Sequence, residues 1–194
     1  VAFRLLIRGD RACFRRPEFG ADLVSYDAMP PVAARNIFQA IHGPPSIRWA
    51  IEQITILHPI RSQWTKVDHR GAGTRRANIL LDVGYLVTGR FDLTAVADTA
   101  DTAAGHAGLF RRRVRQGRYR HPPFLGLTEF PAAITLLDKD DMPPVSHYAS
   151  ESIDLGWMIY DTRNGRDHGA RFFRASAVRG TMTIPPIDSS EFAS

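Results

Sequence analysis

The chain has 194 residues, 44% of them hydrophobic, and carries 25 Lys+Arg against 20 Asp+Glu for a formal net charge of +5. This is an ordinary globular composition, long enough for one well-buried domain or a domain with a small appendage. The single cysteine, Cys13, excludes an internal disulfide framework and a cysteine-built zinc site, and no apolar run approaches the roughly 18–20 residues of a membrane helix. With no hydrophobic signal segment at the start, the expectation is a cytoplasmic protein with no membrane attachment and with Cys13 in packing.

The opening Ala2 to Arg8 mixes large apolar residues with arginine and reads as a strand ended by Gly9-Asp10, with a short extended piece from Ala12 to Arg15 behind it. After Pro30-Pro31 the residues Val32, Ala33, Ile37, Ala40 and Ile41 recur at helical spacing, and Gly43-Pro44-Pro45 stops the helix. Ser46 to Ile60, rich in β-branched and aromatic residues, predicts a long strand that includes Trp49 as a core residue. A polar loop or hairpin excursion covers residues 61–78, and Ile79 to Thr94 returns as a strand, with Gly84 and Gly89 as bulge positions.

Residues 95–117 predict a helix capped by Asp98, Thr99 or Asp101 and ended by Gly117, with Leu109, Phe110 and Val114 on one stripe. Phe124 to Leu137 predicts a further strand, placed at a sheet edge by Pro131. Strand, helix, strand, strand, helix, strand is the order of a ferredoxin-like fold. Beyond the acidic linker Asp138 to Val145, three extended pieces follow: Ile153 to Tyr160, Ala170 to Val178 and Thr181 to Ile184. The first two form a hairpin through residues 161–165, and Trp157 is expected in the core.

Charge is unevenly distributed. Residues 1–120 hold 19 Lys+Arg against 10 Asp+Glu, whereas residues 121–194 hold 6 against 10, so the first part reads as a polyanion-binding surface. Six arginines fall within Arg111 to Arg120, and 23 of the 25 cations are arginine, which suits bidentate phosphate contacts and base stacking. A high-GC genome gives the same arginine bias, so the clustering weighs more than the ratio. Arg111, Arg112, Arg113, Arg115, Arg118 and Arg120, with Tyr119 as a stacking ring, are the candidate RNA-binding residues. A solvated helix end is the plain alternative. Arg15-Arg16, Arg75-Arg76, Trp64 and Lys66 extend the same track.

Cutting RNA without a metal requires a base for the 2′-hydroxyl, an acid for the leaving 5′-oxygen and cations for the charge that develops on phosphorus. Of seven histidines, His42 closes the first predicted helix, where the helix dipole favours its protonated form, and His106 lies in the second between small residues. Two helices on one face of such a sheet can bring these imidazoles together. A structural cap is the commoner role for a histidine at a helix end. HExxH, GxSxG, GxxxxGK[ST] and GxGxxG are all missing, so neither a metal nor an organic cofactor is expected.

Several stretches carry a family likeness. Ser25 to Arg61, with its Ser-Tyr, Pro-led helix, Ile-His close and Ile-x-Trp strand, resembles the Cas-five family of CRISPR-associated proteins, in particular its type I-C (Dvulg) branch of the repeat-associated RNA-binding superfamily. The likeness continues through Arg11 to Glu18, Gly105 to Pro131, Asp154 to Asp161 and Phe172 to Ala175. It implies an α+β protein with a ferredoxin-like (RRM-like) N-terminal domain, residues 1–137, and a small antiparallel β-sheet domain, residues 146–194. The implied activity is metal-independent cleavage of precursor CRISPR RNA within the repeat, followed by retention on the 5′ handle of the mature guide in a type I interference complex. The implied partners are those RNAs, the backbone and large subunits of the complex, and target DNA held within it.

The family's site resembles a Tyr or His at the end of the first helix and a Lys-His pair at the start of the second. His42 and His106 match, making them the candidate catalytic residues, while Gly105 stands in the lysine position, so that either a nearby arginine such as Arg111 or Arg112 supplies the cation or cleavage is weak or lost. Gly43 likewise replaces an aromatic residue. Three readings follow: an endoribonuclease, a non-catalytic subunit that caps the guide handle, and, outside the family, a basic nucleic-acid-binding module.

Overall fold

The computed structural model describes residues 1–193 except residues 21, 70–72 and 163–168. In chain order the elements are β1 (Ala2–Ala12), β2 (Leu23–Val24), α1 (Pro31–Ile41), β3 (Ile47–Ile56), β4 (Ser62–His69), β5 (Gly73–Leu93), α2 (Ala103–Gln116), β6 (Ala133–Leu137), β7 (Ser152–Thr162), β8 (Ala170–Val178) and β9 (Thr181–Thr183). The protein is α+β, built on one mostly antiparallel sheet in the order β6-β1-β5-β3-β9-β8-β7. The sheet is organised around the 21-residue β5, which pairs with β1 and β3 in its second half and with β4 and β2 in its first. The predicted excursion is therefore a two-stranded arm, with Ser62 to His69 running against Leu80 to Gly73. β9 pairs with β3, so the C-terminal strands continue the same sheet.

Alternation drives the strands. Phe3, Leu5 and Ile7 of β1, and Ile47, Trp49 and Ile51 of β3, are buried. Phe38 and Ile41 of α1 and Phe110 and Val114 of α2 pack with them. At the centre is an aromatic cluster, with ring centroids 4.7 Å apart for Trp49 and Phe110, 4.8 Å for Phe3 and Phe110 and 4.9 Å for Phe38 and Trp49. This cluster holds both helices over the sheet and fixes where the end of α1 meets the start of α2. Cys13 is buried, and its burial pushes the thiol up to about 11, as expected of an inert packing residue.

Several expectations from sequence are corrected. β1 does not stop at Gly9-Asp10 but runs to Ala12, because Gly9 is needed for close approach: a Cβ there would meet Leu125 Cδ1 at 2.3 Å. Gly89 is not bulged. The irregularity lies opposite it, between Ile51 and Gln53 of β3, while the bare Gly89 backbone admits the Phe38 ring. The predicted strand from Phe124 shrinks to β6, since the prolines leave Phe124 and Pro131 only an isolated bridge; β6 does lie at the sheet edge. Trp49 is core at 2% exposure, but Trp157 is 49% exposed beside Arg174. The turn of the predicted hairpin through residues 161–165 lies largely outside the described residues; its strands pair as β7 and β8. Among the described residues no helix is long and apolar enough to cross a membrane.

Candidate active site

α1 begins on Pro31, already set for helical φ, and its last backbone bond runs from His42 N–H to the Phe38 carbonyl. His42 itself is extended, with φ −155° and ψ 98°, so the chain leaves the helix there. Gly43 makes that exit possible, since a Cβ at this position would meet the Gln39 carbonyl oxygen at 2.8 Å. An aromatic residue does not fit this exit without moving the last turn of α1. Trp49 Nε1 donates to the His42 carbonyl at 2.7 Å, tying the helix end to the aromatic core.

α2 starts later than residue 95. Its cap is Thr102, whose hydroxyl accepts from Gly105 N–H at 3.1 Å, rather than Asp98, Thr99 or Asp101. Asp98 folds the preceding turn by accepting from the N–H groups of Ala100 and Asp101. Asp101 is thereby freed to face the first turn of α2. Gly117, left-handed at φ 61°, ends the helix as its spacing predicts.

Between these two ends the histidines meet. His42 Nε2 lies 2.9 Å from His106 Nδ1, and both side chains are buried, at 4% and 7% exposure. Arg113 Nη1 is 3.0 Å from His42 Nδ1 and also donates to the Ile41 carbonyl at 3.0 Å. At the other end, His106 Nε2 is 2.9 Å from an Asp101 carboxylate oxygen and 3.4 Å from Ser46 Oγ.

These contacts have one consistent proton assignment. Arginine only donates, so His42 Nδ1 accepts and its proton is on Nε2. That proton is given to His106 Nδ1, which leaves the His106 proton on Nε2, directed at the Asp101 carboxylate. The result is a one-way chain of hydrogen bonds, Arg113 to His42 to His106 to Asp101, with both imidazoles neutral and opposite charges at its ends.

Electrostatics agree with this assignment. Burial, then the Arg113 charge, then His106 bring His42 down to about 4. The expectation that the α1 dipole favours protonated His42 is corrected: burial and a guanidinium at contact distance outweigh a helix terminus. The Asp101 carboxyl is held below its ordinary range, first by the Asp98 backbone, then by Ser46 and His106.

The arginine run divides. Arg111 lies over the Phe3 ring at 5.1 Å, Arg115 pairs with Asp138 at 2.7 Å, and Arg120 donates to the Gly43 carbonyl at 3.1 Å. Arg112 and Arg118 make no ion pair or side-chain hydrogen bond among the described residues. Tyr119 is partly buried against the core. On the arm, Arg76 lies 4.4 Å over Trp64, which is 47% exposed, with Lys66 across from Arg76. Arg16 pairs with Glu18 and covers the Tyr26 ring.

Sequence reasoning did not single out Ser46 or assign Asp101 and Arg113 to the histidines. One signal was present: Arg113 follows His106 by seven residues, two turns along the same helix face. Ser46 is brought to His106 by tertiary packing and carries no such mark.

Residues 3–185 match a family model described as CRISPR-associated protein (Cas_Cas5). The chain is 33% identical to a protein of Mannheimia succiniciproducens named CRISPR pre-crRNA endoribonuclease Cas5d, over 97% of this chain and 96% of the relative. It is 31% identical to a Thermus thermophilus protein of the same name, over 86% and 75% respectively. Two solved structures share the fold. One, described as a CRISPR-associated protein, superposes with a TM-score of 0.84 at 21% identity and covers 100% of this chain and 97% of its own. The other, SMU1763c from Streptococcus mutans, described as functionally uncharacterized, gives 0.82 at 23% identity with the same coverage.

Proposed function

Because the chain belongs to the Cas5 family of CRISPR-associated proteins, and relatives across nearly its full length are named pre-crRNA endoribonucleases, we propose that it cleaves precursor CRISPR RNA within the repeat. The observation that carries a mechanism is the directional chain through His42 and His106. His42 takes the 2′-hydroxyl proton at Nδ1. Its own Nε2 proton passes to His106, where the resulting positive charge is held against the Asp101 carboxylate. The 2′-oxygen bonds to phosphorus, the bond from phosphorus to the 5′-oxygen breaks, and the products are a 2′,3′-cyclic phosphate and a 5′-hydroxyl. The 5′-oxygen takes a proton from solvent as the histidine pair returns one. No step in this scheme passes through a metal.

We further infer that residues 1–137 are a ferredoxin-like unit, since β6-β1-β5-β3 is its antiparallel strand order with both helices in the matching connections, and that residues 146–194 are its β extension. The arm, with Trp64 stacked under Arg76, and Arg112 and Arg118, which have no side-chain partner among the described residues, are assigned to holding RNA. After cleavage the protein stays on the guide 5′ handle in a type I complex in the cytoplasm. The type I-C branch is the subtype this reading adopts.

A second reading, a subunit that binds the handle without cutting, is favoured by one observation. Both imidazoles are buried, and neither has an unoccupied lone pair. The two readings separate when purified protein is incubated in EDTA with repeat RNA and with a copy 2′-deoxy at the scissile nucleotide. Cleavage of the first alone is expected; tight binding with cleavage of neither establishes the capping subunit.

A further inference from the structure

A general base must offer its lone pair to the proton it removes, and in the free protein none is on offer. Arg113 covers His42 Nδ1, and His42 covers His106 Nδ1. Arg113 is also unlike its neighbours in the run. Both its bonds go to neutral acceptors, the Ile41 carbonyl and His42, and no carboxylate pairs with it among the described residues. A guanidinium bound only to neutral groups gains a charge-assisted, two-pronged interaction when a phosphate arrives.

Resting on the endoribonuclease reading above, we propose that Arg113 is the cation that binds the scissile phosphate, and that its transfer from His42 Nδ1 to that phosphate uncovers the base. Substrate thus switches on its own cleavage. Before transfer the site is closed and proton-silent; after it, His42 Nδ1 faces the 2′-hydroxyl and Arg113 faces the developing phosphorane charge. The transfer also makes His42 more basic, because burial and then the Arg113 charge hold it down, and the second of these becomes neutralised by phosphate. The charged and titratable groups facing the pair are Arg113 and His106 from α2 and Asp101 from the turn before it. Ser46 completes the shell, with Trp49 of β3 on the His42 carbonyl. Of these only Arg113 is both cationic and bonded to His42. Of the substitutes named from sequence, Arg111 lies over Phe3 and Arg112 has no side-chain partner among the described residues, so neither is bonded to His42.

Single-turnover cleavage tests this, using an RNA oligonucleotide of the repeat that neighbours the gene. Arg113→Ala is expected to cut about 10²–10³-fold more slowly at saturating protein while RNA affinity changes less than about tenfold, and Arg113→Lys to regain about tenfold or more. In wild type, the acid limb of kcat lies at higher pH than that of kcat/KM, because the first reports the RNA-bound enzyme and the second the free one. In Arg113→Ala the two limbs converge. An independent arm needs no variant: imidazole nitrogen NMR of wild type, free and saturated with the 2′-deoxy repeat RNA, is expected to show the His42 Nδ1 resonance move on binding. Wild-type cleavage rates in Arg113→Ala, or an unmoved His42 resonance in the complex, overturn the proposal. Should wild type itself fail to cut, the endoribonuclease reading falls, and the NMR arm still decides whether Arg113 leaves. Should Arg113→Ala not fold, the same arm decides alone.

Discussion

In the first half of α2, His106 is buried and bonded at both ring nitrogens; in the second half, four arginines go four ways, Arg111 to Phe3, Arg112 to no partner among the described residues, Arg113 to His42 and Arg115 to Asp138. A helix turns about 100° per residue, so a run of like charges in sequence spreads around the axis. The contrast teaches what each task tolerates. The proton transfer proposed for the histidines needs atoms fixed to within a few tenths of an ångström, and the aromatic cluster beneath them is packed to supply that. Holding a polyanion sums many loosely placed charges.

The contrast breaks most visibly at the histidines. His42→Ala and His106→Ala are each expected to slow single-turnover cleavage by about 10²–10⁴-fold while leaving repeat-RNA affinity within about threefold. Equal loss of binding and cutting would place the histidines in RNA holding instead.

Acid sharpens the same difference by acting on the first half alone. His42 titrates near 4 in the folded protein, below its ordinary value, so the folded state binds fewer protons than the unfolded chain between those limits. Stability from this residue is complete above about pH 6.5 and is lost as pH falls toward 4, by about 2–3 kcal/mol. Urea unfolding at pH 7 and pH 4 should show wild type losing that much more than His42→Gln; superimposable pH dependences contradict the burial of a neutral imidazole.

A smaller effect is expected where the two halves are made to trade. Gly105 has ordinary φ, and a Cβ there approaches only Thr102 Oγ1, at 3.0 Å, so a side chain enters with a small shift of the cap. Gly105→Lys should restore about tenfold of the cleavage lost in Arg113→Ala and change wild type by less than about threefold. Equal effects in both backgrounds would mean that Arg113 and a residue-105 cation do not serve the same charge. The smallest effect concerns the two cations of the run without a side-chain partner among the described residues. Replacing Arg112 and Arg118 by Ala should flatten the salt dependence of RNA binding by about 1–2 units of slope and leave the rate at saturating protein unchanged.

How much of this was legible in sequence follows physical range. α1 and α2 were readable from periodicity and their stops, and two helices sharing a sheet face made an approach of His42 to His106 possible, while their contact is set by the packing. The arm was readable only as an excursion, because its strands are largely polar, with Val67, Ala77 and Ile79 too few and too dispersed to set a pattern. Trp157 misled because an apolar residue on a strand says nothing about which strands lack a covering layer. In sequence Gly9 reads as the end of a strand; in the structure it is a close contact inside one, which depends on Leu125 far along the chain. The neutral state of His42 is out of reach of the sequence for the same reason: the helix end is local and visible, whereas its burial and the Arg113 charge come from other elements.

The most direct measurement is the chemistry of the cut ends, taken in EDTA for wild type, His42→Ala and His106→Ala on the same repeat RNA. A 2′,3′-cyclic phosphate and a 5′-hydroxyl from wild type, with no product from either variant over the same time, are what a histidine pair acting on the 2′-hydroxyl produces. A 3′-hydroxyl with a 5′-phosphate, or cyclic ends formed at the wild-type rate by either variant, would place the chemistry somewhere other than the junction of α1 and α2.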